Sequence, residues 1–559
     1  MESAPLEPLQ KAASELLLAW SRCAAPHYGP TGSMDLDLQD FPDAEGPSYY
    51  NQFAHYAYLL LSEGVVPGAT DEERSRFREI ALGNIRYILS ITDSEFHTPH
   101  YSRGMDWGRH IGEWLNYFLL RSLQLMESFG IADNELRHKV SNSVRGAVEQ
   151  IAQRFQTRFH DSTVRFPGNH ATWHGLLIFE AGKYFEQKKW VDFSKYFFET
   201  YIVPTQRPDG VWPEGDGIVV NYSMVTAQAV SLYAESSSSN EALESMGRAL
   251  GFFNFFSFPD GSSSVVCDCR MRYHARPMVF LPPGFLRCES GRRLCLERIR
   301  GYIRSLGEEE ISDNGAQGLA FYAASAHAII DWDQPVDALT ELPPDNVTAG
   351  RIAQGGWTGF SSWQLTAEQS SRFILDTQNF IELWHQDSGY LMGAGNSKYM
   401  PRFSTIRRTD KGRNYIPDLA ECIKRTEKEV VTVYSFDRDR IQVSLALVED
   451  TCQIEFAVLE RTSVAVYEAG LMLPFKPGER VDLDDVSTVV GPFKMIHHVF
   501  GKNGFSWRNR TFYVPESGVL DYPLVPHNPY TQHGLPSEDA YIARLSFIVT
   551  EAGQKVTIT

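Results

Sequence analysis

The 559-residue chain holds little that would tie it to a membrane, an oxidising compartment or a nucleic acid. No uninterrupted apolar run reaches about 18 residues, so no membrane span is expected. Cysteine is scarce and odd in number: seven residues, scattered except for 267-CDC-269. Reduced thiols are therefore expected rather than a disulfide framework. Positive charge is in deficit, with 52 Lys and Arg against 70 Asp and Glu and a formal net charge of −18. That balance argues against nucleic acid or an acidic membrane surface as a general partner. The start, MESAPLEPLQKAASELLLAW, lacks a basic segment followed by a long apolar stretch. It reads as an amphipathic first helix, and a cytoplasmic location is expected unless a signal was removed before this numbering begins. No clear internal repeat marks a regular solenoid.

What is present is the composition of a globular protein, 43% hydrophobic and 22% charged, in a chain long enough for two cores. Aromatic residues reach 13%, which suits both an aromatic-packed helical core and clefts where sugar rings stack. Apolar residues recur at three- and four-residue spacing in 48–64, 73–91, 112–130, 134–155, 170–187, 222–235, 240–256 and 315–330. With weaker candidates, ten or eleven helices are expected, joined by loops rich in Gly, Pro and Asp. Long helices alternating with such loops predict stacked helical hairpins, as a solenoid or a closed toroid. Beyond about 356 the period changes to two, in 372–386, 429–437, 440–450, 453–470 and 541–551, the pattern of an antiparallel β-sandwich. The reading is a multidomain α+β chain: helical hairpins over 1–335, an acidic Pro- and Gly-containing linker over 336–356, and a β-sandwich over 357–559.

The stretch 169-NHATWHGLLIFEAGKYFE-186 places reactive groups at the head of a helix that otherwise reads as core. His170 and His174, at i and i+4, share a face and could ligate zinc, but Ala171 stands where a zinc protease would carry Glu. Alternatively, Asn169 caps the helix. A third reading needs partners, and 207-RPDGVWPEGDGIVVNYSMVTAQA-229 offers them: a Gly-rich loop with Asp209, Glu214 and Asp216 leads to Tyr222 at a helix head. The basic runs 270-RMRYHAR-276, 402-RFSTIRRTDKGR-413 and 502-KNGFSWRNR-510 read as solvated surface, or as local sites for an anionic ligand.

Together, an Asn-His pair opening a helix and an Asp-Gly…Glu-Gly…Tyr segment some fifty residues later resemble the heparinase II/III-like polysaccharide lyases and their oligoalginate lyase relatives. The segments 258-FPDGSSSVVCDCRMRYHARP-277 and 384-WHQDSGYLMGAGNSKYMP-401 resemble further stretches of that family. The chain departs from it in carrying Glu214-Gly215-Asp216 before the Tyr and Trp384-His385-Gln386-Asp387 in the β region. The resemblance implies an (α/α) toroid followed by an antiparallel β-sandwich, and cleavage of a uronic-acid glycan by β-elimination.

In that chemistry Asn169 and His170 neutralise the uronate carboxylate, so that the C5 proton beside it can be removed. Tyr222 acts as acid and base, with His170 as alternative base, its phenolate favoured by a nearby cation such as Arg272. Arg270, Arg272, Arg276, Tyr273, His385, Glu214 and Trp212 are expected to bind substrate, with His385 and Tyr273 as secondary catalytic candidates. His174 is expected in the wall. No redox or organic cofactor is called for, and no dense ligand cluster marks a structural divalent metal. The expected partner is an anionic uronic-acid oligo- or polysaccharide. The rivals are a glycoside hydrolase using two of Asp209, Glu214 and Asp216, a uronate C5-epimerase, and a glycan-binding protein without catalysis.

Overall fold

The computed structural model describes residues 6–28, 53–99, 101–102, 105–106, 112–160, 168–214, 217–270, 277–306, 315–334, 339–365, 374, 378–393, 400–484, 486–491, 494–501, 504–528 and 533–559. Eleven α-helices occur among them: α1 (Leu6–Ala24), α2 (His55–Ser62), α3 (Asp71–Ile91), α4 (Glu113–Ser128), α5 (Asn134–His160), α6 (Asn169–Tyr184), α7 (Lys188–Phe197), α8 (Val220–Ser237), α9 (Asn240–Phe255), α10 (Glu289–Leu306) and α11 (Gly315–Ile330). A short hairpin, β1 (Tyr101–Ser102) with β2 (Met105–Asp106), lies between α3 and α4. Among the described residues no helix is long and apolar enough to cross a membrane.

The chain divides into two compact units. One comprises 1–216, 221–254 and 276–345; the other comprises 217–220, 255–275 and 346–559. The segment 255–275 thus leaves the helical run and joins the β-rich unit, a crossing that periodicity does not reveal. The strand β3 (Ala349–Gln354) falls inside the stretch read from sequence as linker.

In the helical unit, buried side chains tie five helices into a closed ring. His55 Nδ1 of α2 lies 2.7 Å from Ser122 Oγ of α4, and Tyr117 of α4 meets Trp173 of α6 edge-on at 5.2 Å. Trp173 Nε1 donates to the Val225 carbonyl of α8 at 3.1 Å, and Gln228 Nε2 of α8 donates to the Phe321 carbonyl of α11 at 2.8 Å. Tyr56 of α2 closes the circle on His327 of α11, at 2.6 Å. The helices α3, α5 and α7 pack outside α2, α4 and α6, while Tyr322 of α11 donates to the Ala13 carbonyl of α1 at 3.0 Å. This is the (α/α) toroid. Its centre is aromatic: Phe321 meets Trp114, Phe118 and Trp173 with ring centroids 5.0 to 5.5 Å apart. Edge-to-face packing of this kind adds to the burial that holds the ring together.

The second unit is antiparallel throughout its described strand pairs. A four-stranded sheet runs β3, β4 (Trp357–Ser362), β5 (Ile381–His385) and β6 (Gly389–Met392). Beyond it, a nine-stranded and a six-stranded sheet share one core. Alternate residues of 439–448 point inward, and Phe456 of one sheet meets Phe547 of the other at 5.5 Å. Two sheets joined by such inward faces form a sandwich.

Candidate functional site

The head of α6 is built differently from a capped helix. Gly168 is the N-cap and contributes no side chain, so Asn169 is the first helical residue and does not cap it. Instead, buried Asn169 turns its amide to the loop before α8, donating from Nδ2 to Glu214 Oε2 at 3.2 Å. Asn169 Oδ1 is buried and has no hydrogen-bond partner among the described residues. Glycine at 168 leaves room for this carboxylate: a Cβ there would lie 2.7 Å from Glu214 Oε2.

Next to it, His170 stacks on Trp114, with centroids 4.5 Å apart. Its Nδ1 lies 2.5 Å from Glu113 Oε1, and 42% of its side chain is exposed. Glu113 is fully buried at the first position of α4, where the positive end of the helix dipole favours a carboxylate. His174 lies on the other side of the same carboxylate, Nε2 to Oε2 at 3.3 Å, a charge contact without hydrogen-bond geometry. The His174 Nδ1–H is committed to the His170 carbonyl at 2.8 Å.

These contacts set the charges. Burial opposes a charge on His170, but Glu113 and then Glu214 outweigh it and hold His170 above the ordinary histidine pKa. Burial also works against the Glu113 carboxylate, yet the two imidazoles and its own backbone N–H pull its pKa below the ordinary value. For His174 burial wins over the attraction of Glu113, and its pKa falls. The i, i+4 histidines thus flank a carboxylate. Among the described residues no group of three or more His, Cys, Asp or Glu side chains is arranged to hold a metal ion.

Tyr222 stands in the first turn of α8, partly exposed. Its level is fixed by the packing of α8 on α6. Trp173 reaches Val225, and further along both helices Phe179 meets Tyr233 at 5.0 Å, so the two helices run parallel. Asn169 lies four residues before Trp173 and Tyr222 three before Val225, about 6 Å and about 4.5 Å along the axes. Asn169, His170 and Tyr222 therefore occupy the same end of neighbouring inner helices.

Other expected residues stand elsewhere. Trp212 is a correction: it is buried, with its indole N–H on the Ile202 carbonyl at 2.9 Å, and is a core residue rather than a sugar platform. Asp209, also buried, pairs with Arg207 at 2.9 Å and accepts the Val211 N–H, so it holds a turn. His385 and Arg270 belong to the β-rich unit. His385 is buried, and its Nδ1 accepts from Arg510 at 2.7 Å and from the Asp387 N–H at 3.1 Å. Arg272, Tyr273, Arg276 and Asp216 lie outside the described residues. In the other basic runs, Arg402, Arg407, Arg408, Arg508 and Arg510 are engaged with Asp521, Glu468, Asp410, Glu479 and Asp387, and of the five only Arg402 is exposed. Sequence reasoning missed Glu113 and Trp114. An acidic residue opening an apolar helix is so ordinary that nothing in the pattern singles it out.

No protein-family model and no curated protein matches the sequence. Among solved structures, a chondroitin AC lyase of Streptomyces coelicolor A3 in complex with chondroitin sulphate is 12% identical at a TM-score of 0.45, covering 100% of this chain and 80% of that one. A chondroitinase AC lyase studied as oligosaccharide complexes gives 12% identity and a TM-score of 0.44, covering 99% and 82%. An unsaturated glucuronyl hydrolase mutant of Streptococcus agalactiae gives 11% and 0.37, covering 60% of this chain and 94% of that one. Likeness at this level leaves the chemistry to be argued from the side chains.

Proposed function

We propose that the protein is a lyase that cleaves a uronic-acid-containing oligo- or polysaccharide by β-elimination, with the heparinase II/III-like arrangement of residues. The observation that carries this reading is the placement of His170 beside Glu113 and of Asn169 beside Glu214 at one end of the ring, with Tyr222 at the same level on the parallel neighbour α8. Removing the C5 proton of a uronate builds negative charge next to a carboxylate. An amide and an imidazolium at the head of α6 are donors suited to that charge, and the positive end of the helix dipole adds to them. Tyr222 is the proton-transfer group: its oxygen takes the C5 proton or hands one to the departing O4 as the C4–O bond breaks and the C4–C5 double bond forms.

The hydrolase alternative needs two free carboxylates flanking a sugar. Of its candidates, Asp209 is committed to Arg207 and a turn, Glu214 accepts from Asn169 through one oxygen, and Asp216 lies outside the described residues. No cofactor enters this chemistry. The test is a screen of alginate, glucuronan, heparan, chondroitin, hyaluronan and ulvan for the ultraviolet absorbance of an unsaturated uronate. Wild type is expected to produce it from at least one polymer or its oligomers, and Tyr222→Phe is not. Absence of the chromophore with every substrate, or its persistence in Tyr222→Phe, overturns the assignment.

A further inference from the structure

We propose that Glu113 is the positioning residue of this site: seated between His170 and His174, it fixes the His170 ring so that Nε2 alone is left to meet substrate. The role rests on the lyase reading, but the geometry behind it does not. Two hydrogen bonds and one charge contact determine the state of the trio. The contact of His170 Nδ1 with Glu113 Oε1, at 2.5 Å, needs a proton between the two atoms, and a carboxylate next to an imidazole leaves that proton on Nδ1. Neutral His170 is thereby the Nδ1–H form with a lone pair on Nε2; charged His170 carries N–H on both nitrogens.

His174 is tied differently. Its Nδ1–H is spent on the His170 carbonyl, so in its neutral form Nε2 presents a lone pair to Glu113 Oε2, 3.3 Å away. Two acceptors facing one another repel, which by itself favours a second proton on His174 Nε2, but burial, the charge of His170 and Arg154 outweigh it. A second positive charge in this buried place would also repel the first. The trio therefore settles with its one mobile proton on His170, as an imidazolium–carboxylate pair, with His174 neutral behind it.

The charged groups around His170 agree with this from each side. Glu113 projects from α4, Glu214 from the loop before α8, and neutral His174 from α6; Arg154 acts on His174 and disfavours a charge there. Trp114, stacked on the ring at 4.5 Å, fixes its plane and favours a cation over its face.

A division of labour follows. An imidazolium has no lone pair with which to take the C5 proton, but its Nε2–H can donate to a carboxylate. His170 then belongs with Asn169 on the substrate carboxylate, and proton abstraction falls to Tyr222. Raising the pH past the His170 transition would turn the donor into a competing base and weaken carboxylate binding, a change in KM before kcat.

The decisive experiment is histidine NMR on the full chain, following ring nitrogen shifts of His170, assigned with His170→Asn, through a pH titration. In wild type, His170 is expected to titrate above an ordinary histidine and to show the Nδ1–H form when neutral. In Glu113→Gln, whose amide carbonyl can still accept from Nδ1, the Nδ1–H form is expected to persist. The midpoint is expected to fall by at least about one pH unit, a tenfold loss in proton affinity. An Nε2–H form in wild type, or an unchanged midpoint in Glu113→Gln, overturns the proposal. Should Glu113→Gln not fold, Glu113→Asp keeps the charge at a longer reach, and its His170 midpoint is expected below that of wild type; a midpoint equal to that of wild type would count against the proposal. The titration needs no substrate, so failure of the lyase reading leaves it standing, whereas failure of the titration leaves elimination by Tyr222 untouched. Where turnover is found, Glu113→Gln is expected to raise KM for the uronate several-fold more than it lowers kcat.

Discussion

Two glutamates, one in each unit, are almost completely withdrawn from solvent and end in opposite states. Glu113 in the helical ring has two imidazoles against its oxygens and is held below the ordinary carboxylate pKa. Glu382 on β5 is surrounded by neutral donors: the Ser264 and Tyr390 hydroxyls and the N–H groups of Val265 and Val266. Burial dominates there, and its pKa is pushed up to about 7. Neutral donors satisfy a carboxylate without compensating its lost hydration, whereas a titratable cation does both. The first arrangement secures a segment of chain to a sheet. The second creates a polar pair that still presents a partly exposed ring to the outside, which is what a site for an anionic ligand requires.

The largest expected effects lie on the helical side. Tyr222→Phe should lower turnover about 10³-fold, the range of general acid–base catalysis, with little change in Tm. Asn169→Ala should cost about 10²-fold through lost charge stabilisation, read as initial rates on whichever uronate polymer is cleaved. Equal rates in Asn169→Ala and wild type would detach the head of α6 from the chemistry.

Glu382 is tested through pH. Its folded pKa of about 7 stands above the ordinary 4.5, so its contribution to stability is complete below about 4.5 and is lost as pH rises through about 7. The loss amounts to about 3 kcal/mol. Amide exchange at Val265 and Val266 should accelerate across that interval in wild type beyond the intrinsic rise, and Glu382→Gln should remove the excess. A pH-independent protection factor in wild type would mean that Glu382 titrates as an ordinary carboxylate. The same isosteric change is expected to have the opposite sign in the ring: at pH near 6, Glu113→Gln lowers Tm because it removes a charge pair, while at pH near 8 Glu382→Gln raises it.

Smaller effects sharpen the contrast at the head of α6. Gly168→Ala forces Glu214 Oε2 from a position 2.7 Å away, and it should reduce turnover a few-fold by loosening Asn169 while leaving the unfolding free energy within about 0.5 kcal/mol of wild type. Thr70→Ala at α3 is the ordinary counterpart. There a Thr70–Glu73 capping box does the work that Gly168 leaves undone, and its loss should cost about 1 kcal/mol with activity unchanged.

The sequence patterns were most informative where periodicity is long. The apolar spacing over 315–330 coincides with α11 (Gly315–Ile330), and the alternation over 429–437 coincides with a strand at Glu429–Phe436. The stretch 453–470 is two strands, Thr451–Glu460 and Val466–Leu473, and reads as one β segment because the break between them is only five residues long. Closure of the ring depends on side chains far apart in sequence, such as Tyr56 and His327, which no local pattern carries. At the site, the Asn-His pair and Tyr222 were visible as polar groups opening apolar helices. Glu113 looked like any acidic first-turn residue. Trp212, in a loop rich in glycine and proline, was expected among the substrate-binding residues and is buried. Burial of a single side chain is a tertiary property, and composition around it does not report it.

The most direct measurement is the mass of the products formed from a uronic-acid glycan. Elimination breaks the C4–O bond without adding water, so the fragment with the new non-reducing end should be one water lighter than the same fragment released by hydrolysis. A non-reducing fragment at the full hydrolysed mass would contradict β-elimination by Asn169, His170 and Tyr222, as would a polymer left uncleaved while exchanging its C5 proton with solvent.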